Sequence, residues 1–193
     1  MTYVEKLFEL KSLRGISQKS LAEHMGLYRG YVKHYNLATD LMEKYLNEPD
    51  AQYLITELNR RRSFEYNGIK NHEYYFEDLL GEFVPLNPES LLAQKINETW
   101  GSFEAWRSEF EKIAMTRGVG WAILSYDPET EILQNGWVDE QHFGQLNNTR
   151  YIMGIDMWEH SYVADYQPSG KKQYVLDFLD QVSWEGAMDR FNK

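Results

Sequence analysis

Hydrophobic and polar positions along the chain fall into two long helical stretches, followed by shorter segments whose period switches to that of strands and back. From 18 to about 46 the larger apolar residues Leu21, Leu27, Tyr31, Leu37, Leu41 and Tyr45 recur at helical spacing. Gly15-Ile16-Ser17 precedes them, with Ser17 placed to cap the first turn. Gly26 and Gly30 interrupt this helix, each at a cost of about 1 kcal/mol relative to alanine. Two glycines within one turn suggest close approach of another element or a local irregularity. Asn47-Glu48-Pro49-Asp50 ends the segment, and a second helix is expected over 51–80, with a break near Asn67-Gly68. A short extended stretch over 7–13 leads in. Two long helices joined by a short turn make an antiparallel hairpin.

Residues 81–88 (GEFVPLNP) read as a link to a second unit. Helices are expected over 89–97 and 102–115, the latter capped by Ser102. The period then changes: 119–126 and 131–138 alternate like strands and are joined by the turn signal Asp127-Pro128-Glu129-Thr130. A third strand over 149–155 delivers Asp156, and helical segments over 158–164, 172–181 and 184–191 close the chain. The expected fold is α+β, an N-terminal long helical hairpin followed by an α/β domain with a small three-stranded antiparallel sheet. Its domains are 1–84 and 85–193, with the candidate site between them.

Composition narrows the chemistry. The 193 residues suffice for a sizeable core, and a net charge of −10 argues against nucleic acid or an anionic membrane surface as partner. Cysteine is absent, so any metal must be held by His, Asp or Glu. The start lacks an apolar leader core, and no run approaches the length of about 18 apolar residues that a membrane span requires. A cytoplasmic protein is expected.

The stretch that bears most on chemistry is Asp156-Met157-Trp158-Glu159-His160. Four residues apart, Asp156 and His160 can converge on one ion, and a hard oxygen with a borderline nitrogen suits manganese, iron or zinc. The apolar run Tyr151-Ile152-Met153-Gly154-Ile155 just before Asp156 implies a buried carboxylate, costly unless its charge is compensated. Among the other histidines, His24 shares a helical stripe with Tyr28 and Tyr31, and His72 lies on the aromatic face Asn71-His72-Glu73-Tyr74-Tyr75-Phe76. His34 reads as solvated and His142 as a loop residue.

Taken together, the order of these elements resembles the iron/manganese superoxide dismutase family over nearly the whole chain. DMWEHSYVADYQ is its most specific segment; LYRGYVKHYN, FEYNGIKNHEYYF, WGSFEAWRSEF and GVGWAIL are similar to further signatures. The resemblance implies a superoxide dismutase that redox-cycles one manganese or iron ion per subunit, held by His24, His72, Asp156 and His160. It implies a homodimer in which Glu159 reaches His160 of the other subunit. Tyr31 matches the tyrosine at the substrate entrance, and Trp121 part of the dry shell. The side chain that bonds the metal-bound solvent is Gln141 or His142, with His142 preferred. Gly68 and Gly154 resemble the manganese pattern. A metal-binding structural member of the fold, slow or inactive, is the alternative.

Departures from the family pattern bear on the site. The interval from His24 to Tyr31 is one residue shorter, which predicts a distorted first helix or a shifted start. Leu27 and Tyr28 stand where paired histidines are usual, and Val163 where a tyrosine bridges the dimer. Lys171, Lys172 and Arg29 are candidates for a positive funnel toward the site.

Overall fold

In the computed structural model, residues 2–10, 13–80 and 82–193 are described. The chain folds as α1 (Gln18–Tyr45), α2 (Gln52–Glu77), α3 (Leu91–Trp100), α4 (Phe103–Ala114), β1 (Gly120–Asp127), β2 (Ile132–Asp139), β3 (Arg150–Asp156), α5 (Glu159–Tyr166), α6 (Lys171–Leu179) and α7 (Glu185–Phe191). This is the expected helical pair followed by a mixed unit. The stretch expected to be extended is irregular backbone over 7–10, and residues 11 and 12 lie outside the described ones, as does Gly81 in the link. Among the described residues no helix is long and apolar enough to cross a membrane.

Local chemistry explains the boundaries. Ser17, Ser90 and Ser102 cap α1, α3 and α4, each accepting a hydrogen bond from a backbone N–H three residues on. Gly101 ends α3 in the left-handed conformation that lacks a Cβ penalty. Asp127 Oδ1 accepts from the backbone N–H groups of Glu129 and Thr130, which shapes the turn between β1 and β2. Helix α2 is unbroken through Asn67-Gly68, because tertiary packing outweighs the propensity cost of one glycine.

The three strands form an antiparallel sheet in the order β2-β1-β3. Central β1 is buried from Gly120 to Ser125, and its register with β3 sets Trp121 opposite Asp156. One core runs through the molecule, including Leu21 and Tyr28 of α1, Ile69, Tyr75 and Phe76 of α2, Trp106 and Phe110 of α4 and Phe178 of α6. Tyr75 stacks on Phe178 with ring centroids 5.5 Å apart. Ahead of α1, Tyr3 exchanges hydrogen bonds with Asn36, donating from its backbone N–H and accepting from the Asn36 amide.

A buried ion pair ties the last helix to this core. Arg190 Nη2 donates to both carboxylate oxygens of Asp78, at 2.5 and 2.6 Å, and its Nε donates to the Ile152 carbonyl at 2.9 Å. It thereby joins the end of α2, strand β3 and α7. Removing one member leaves the other charge buried without a partner. Arg190→Ala is expected to lower the free energy of unfolding by about 3–5 kcal/mol. In urea titrations the midpoint falls while the slope is kept; a loss below about 1 kcal/mol would show that the pair is not a structural tie.

Candidate metal centre

Four side chains from four elements meet at one point. His24 comes from α1, His72 from α2, Asp156 from the end of β3 and His160 from the first turn of α5. One donor atom from each lies within 4.8 Å of all the others. His72 and Asp156 are fully buried, His24 is almost so, and the His160 side chain keeps 22% of its surface exposed.

The expected distortion of α1 is absent. The helix runs regularly from Gln18 to Tyr45 and still brings both His24 and Tyr31 to the site. Seven residues at about 100° each make nearly two full turns, so the two side chains share one face to within about 20°. A Cβ built on Gly26 or Gly30 would meet nothing within 4 Å among the described residues, so neither glycine serves close packing there. Gly68 does: a Cβ there would stand 2.7 Å from the Tyr31 ring.

Asp156 is the hub of the cluster. Its Oδ1 accepts from the Trp158 backbone N–H at 2.8 Å, which leaves Oδ2 for the imidazoles. Nε2 of His24, His160 and His72 lie 3.0, 3.3 and 3.5 Å from that single oxygen. Burial alone would raise the Asp156 pKa; the His160 charge and hydrogen bonds from His160 and His24 overcome it and hold the carboxyl well below its usual range. Burial acts the other way on the imidazoles. It lowers His24 despite its bond to Asp156, and it lowers His72 to about 3, helped by the neighbouring His24.

His72 carries the clearest signal of a cation. Its Nδ1 lies 2.6 Å from the Gly68 carbonyl oxygen, one helical turn earlier, and therefore bears the hydrogen. Its Nε2 then presents a lone pair, is buried, and has no hydrogen-bond partner among the described residues. That lone pair faces Asp156 Oδ2, a second acceptor. Two opposed acceptors in a dry site repel, and a cation between them converts the repulsion into coordination. Three nitrogens and one carboxylate oxygen suit borderline first-row metals, so the residues present fit such an ion.

Around the four donors lies an aromatic wall in which the Trp121 ring is 5.1 Å from His72 and Tyr75 is 5.1 Å from His24. Gln141, fully buried, spans from one side of this wall to the other: its Oε1 accepts from Trp121 Nε1 at 2.9 Å, and its Nε2 donates to the Tyr31 hydroxyl at 3.0 Å. His142, the residue preferred from the sequence, is not brought to the cluster. It follows the turn at Glu140, where φ is 52°, and is half-buried, packing on Phe64 and Phe143 beside a depression lined by Glu57, Arg60 and Arg61, with its Nδ1 buried. Of the two neighbours, Gln141 is the one that bonds Trp121 and Tyr31.

The proposed basic funnel is also redistributed. Lys171 donates to the Thr116 carbonyl at 2.8 Å, Lys172 lines a separate cleft with Glu111 and Lys112, and Arg29 pairs with Glu5. Sequence reasoning missed Asn71, whose Nδ2 donates to the Gln141 carbonyl at 3.1 Å and fixes the turn that presents Gln141. Its place directly before His72 was the available signal.

Comparison with known proteins bears on the family of the chain. Residues 88–190 match the family described as iron/manganese superoxide dismutases, C-terminal domain. The chain is 32% identical to a protein named superoxide dismutase [Mn] 2 of Haloferax volcanii, covering 92% of this chain and 88% of that one. It is 31% identical to a superoxide dismutase [Fe] of Cupriavidus metallidurans over 96% of both, and 30% identical to a superoxide dismutase [Fe] of Pyrobaculum aerophilum over 88% and 81%.

The depressed His72 pKa contributes to the acid response of the metal-free chain. Unfolded, its histidines take up protons near pH 6.5; folded, His72 refuses one until about 3. At this site the unfolded state binds more protons across the window, and its contribution to stability is lost as pH drops through it. Asp156, lowered when folded, acts in the same direction at lower pH. Asp78, whose carboxyl burial raises to about 7, acts the opposite way over the window, so substitution is needed to separate the two. Relative to its value at about pH 7, the urea midpoint at about pH 4.5 is expected to be lower in the parent apoprotein than in His72→Gln. The same pH dependence in both would contradict the burial of a neutral imidazole at position 72.

Proposed function

The chain belongs to the iron/manganese superoxide dismutase family, and from that premise we propose that His24, His72, Asp156 and His160 hold its manganese or iron ion. The reaction is the dismutation of superoxide to oxygen and hydrogen peroxide. The observation that carries the ligand assignment is the convergence of three Nε2 atoms on one oxygen of Asp156, with that of His72 buried and unpartnered. Two ligands come from the helical domain, 1–84, and two from the α+β domain, 85–193, so the ion joins the two.

When bound, the ion supplies the electron chemistry, alternating between its +3 and +2 states. The protein supplies the rest. Burial keeps His24 and His72 neutral, which leaves Asp156 as the one anionic donor among the four and the loaded site attractive to an anion. Trp121, Tyr75 and Phe76 exclude bulk water from the cluster, while Trp158 stacks beside His160. Gln141, its amide fixed in orientation by Trp121 and Tyr31, is the side chain that would bond solvent held by the ion. Tyr31 has its pKa raised, first by burial and then by the Asp156 charge, so its phenol keeps the proton it can pass at the entrance. Positioned by Gly68, that phenol sets how protons reach the site.

Manganese is the metal this arrangement favours. A side chain at position 68 would collide with Tyr31, so the polar group near Tyr31 comes from the turn after β2, through Gln141. The depression of about 560 Å³ beside His160, lined by Gly26, Leu27, Glu159 and Val163, is the face through which two copies pair, with Glu159 meeting His160 of the second copy. Half-exposed Leu27 and the bare backbone of Gly26 give it a flat apolar surface.

Apoprotein reconstituted separately with manganese and with iron tests this reading. About one manganese per chain with dismutase activity, in particles sedimenting as dimers, is the expected result. Activity confined to the iron sample would overturn the manganese assignment, and full occupancy without activity in either would return the chain to a binding role. Gln141→Leu is expected to lower kcat by about 10²-fold or more while metal content is kept.

A further inference from the structure

A second feature of the core reaches from the metal ligands to the surface and takes no part in dismutation. The Tyr75 ring lies 5.1 Å from that of His24. Tyr75 and Tyr174 share a hydrogen bond between their hydroxyls at 3.1 Å, and both side chains are fully buried. The Tyr174 ring is 5.7 Å from that of Tyr166, at the end of α5. Tyr166 is partly exposed, and its hydroxyl donates to Asp177 Oδ2 at 3.0 Å. Three oxidisable side chains thus stand in contact, in a line that starts at a metal ligand and ends beside a carboxylate.

We infer that Tyr75, Tyr174 and Tyr166 form a path that carries a one-electron oxidation from the metal site to Tyr166, where it meets solvent. This rests on a redox-active ion at the histidine–aspartate cluster. The oxidant is hydrogen peroxide, the product of the established reaction. Its O–O bond breaks and both oxygens leave as water, taking up two electrons and two solvent protons. One electron comes from the reduced ion and one from Tyr166, whose phenol proton passes to Asp177. The radical left on Tyr166 is then quenched by a soluble thiol or ascorbate-class reductant, or is fixed as a modified tyrosine. The consequence is protection: oxidising power that would damage His24, His72 or Trp121 leaves the site.

Proton bookkeeping selects the terminus. A phenol that loses an electron becomes strongly acidic, so the hole settles where a base stands ready. Tyr166 has the Asp177 carboxylate, which the Arg14 guanidinium and the Gln173 amide hold in place through its other oxygen. Tyr75 and Tyr174 have each other in a dry core, where a proton can shift along their shared bond without leaving. Near the metal the alternatives are less suited: Tyr31 accepts from the Gln141 amide, and Trp121 donates to the same amide. Neither of those bonds ends on a carboxylate. Flanking glycines also fit Tyr166 closely, since a Cβ on Gly15 would overlap its hydroxyl and one on Gly170 would stand 2.8 Å from its own Cβ.

The test uses protein loaded with iron or with manganese, its metal content and dismutase activity measured on each sample. Hydrogen peroxide is added, samples are frozen within milliseconds, and electron paramagnetic resonance and peptide mass spectrometry follow. A tyrosyl radical and oxidised Tyr166 are expected in the parent chain. Tyr166→Phe should abolish both, Asp177→Asn should lower them by removing the base, and neither should change metal content or dismutation. Tyr75→Phe should cut the yield at Tyr166 and raise oxidation of Trp121 or Tyr31. A radical unchanged in Tyr166→Phe and Asp177→Asn, or oxidation mapped first to Tyr31, would overturn the path. So would loaded, active protein that forms no tyrosyl radical. A chain that takes up neither metal would overturn the ligand assignment, and the path with it.

Discussion

One oxygen of Asp156, buried and facing three imidazole nitrogens, governs how the surrounding elements are placed. Such an oxygen needs a positive partner, and the fold sets four donor side chains where a cation could supply it. Strand pairing sets Asp156 opposite Trp121, and the Trp158 backbone turns its other oxygen aside. The carbonyl of Gly68 fixes the tautomer of His72, and a helix without distortion holds His24 and Tyr31 on one face. Metal binding and folding are therefore coupled, because residues from four elements reach their donor geometry only when the whole chain is in place.

Much of this was legible in the chain itself. Helical and strand periods located the elements to within a few residues, and Ser17 and Ser102 marked their starts because a hydroxyl at that position satisfies an otherwise unpaired N–H. Asp156 and His160 stood out because a carboxylate after an apolar run demands compensation. His24 and His72 did not stand out singly, since one histidine on a helix face carries no direction; they became candidate ligands only through the family resemblance. The choice between Gln141 and His142 was beyond sequence reasoning for a physical reason. Which of two neighbouring side chains in a tight turn bonds inward is decided by contacts far away in sequence, here Trp121, Tyr31 and Asn71.

The departures from the family pattern turn out to be consistent with one another. A seven-residue interval between His24 and Tyr31 is the natural one for an undistorted helix, so the shorter spacing simplifies α1 rather than straining it. Tyr28, where a paired histidine is usual, turns inward: its hydroxyl donates to Glu73 and accepts from the Lys6 backbone, which draws the N-terminal stretch onto the helices. Tyr3, Lys6 and Lys70 join the same carboxylate. Tyr28 thus helps to hold the arm that covers α1 and α2, while Leu27 and Val163 stay at the surface depression beside His160. Lys171, spent on the end of α4, likewise trades a role near the site for a tie between helices.

His24, His72, Asp156 and His160, and no other side chains, are the proposed donors to one ion. Anomalous scattering from crystals of the manganese-loaded protein, collected on either side of the manganese edge, tests this directly. A single peak per chain is expected, bonded to Nε2 of the three histidines and to Oδ2 of Asp156, with Oδ1 still accepting from Trp158. A peak that excludes His72, or one centred on His142, would contradict it.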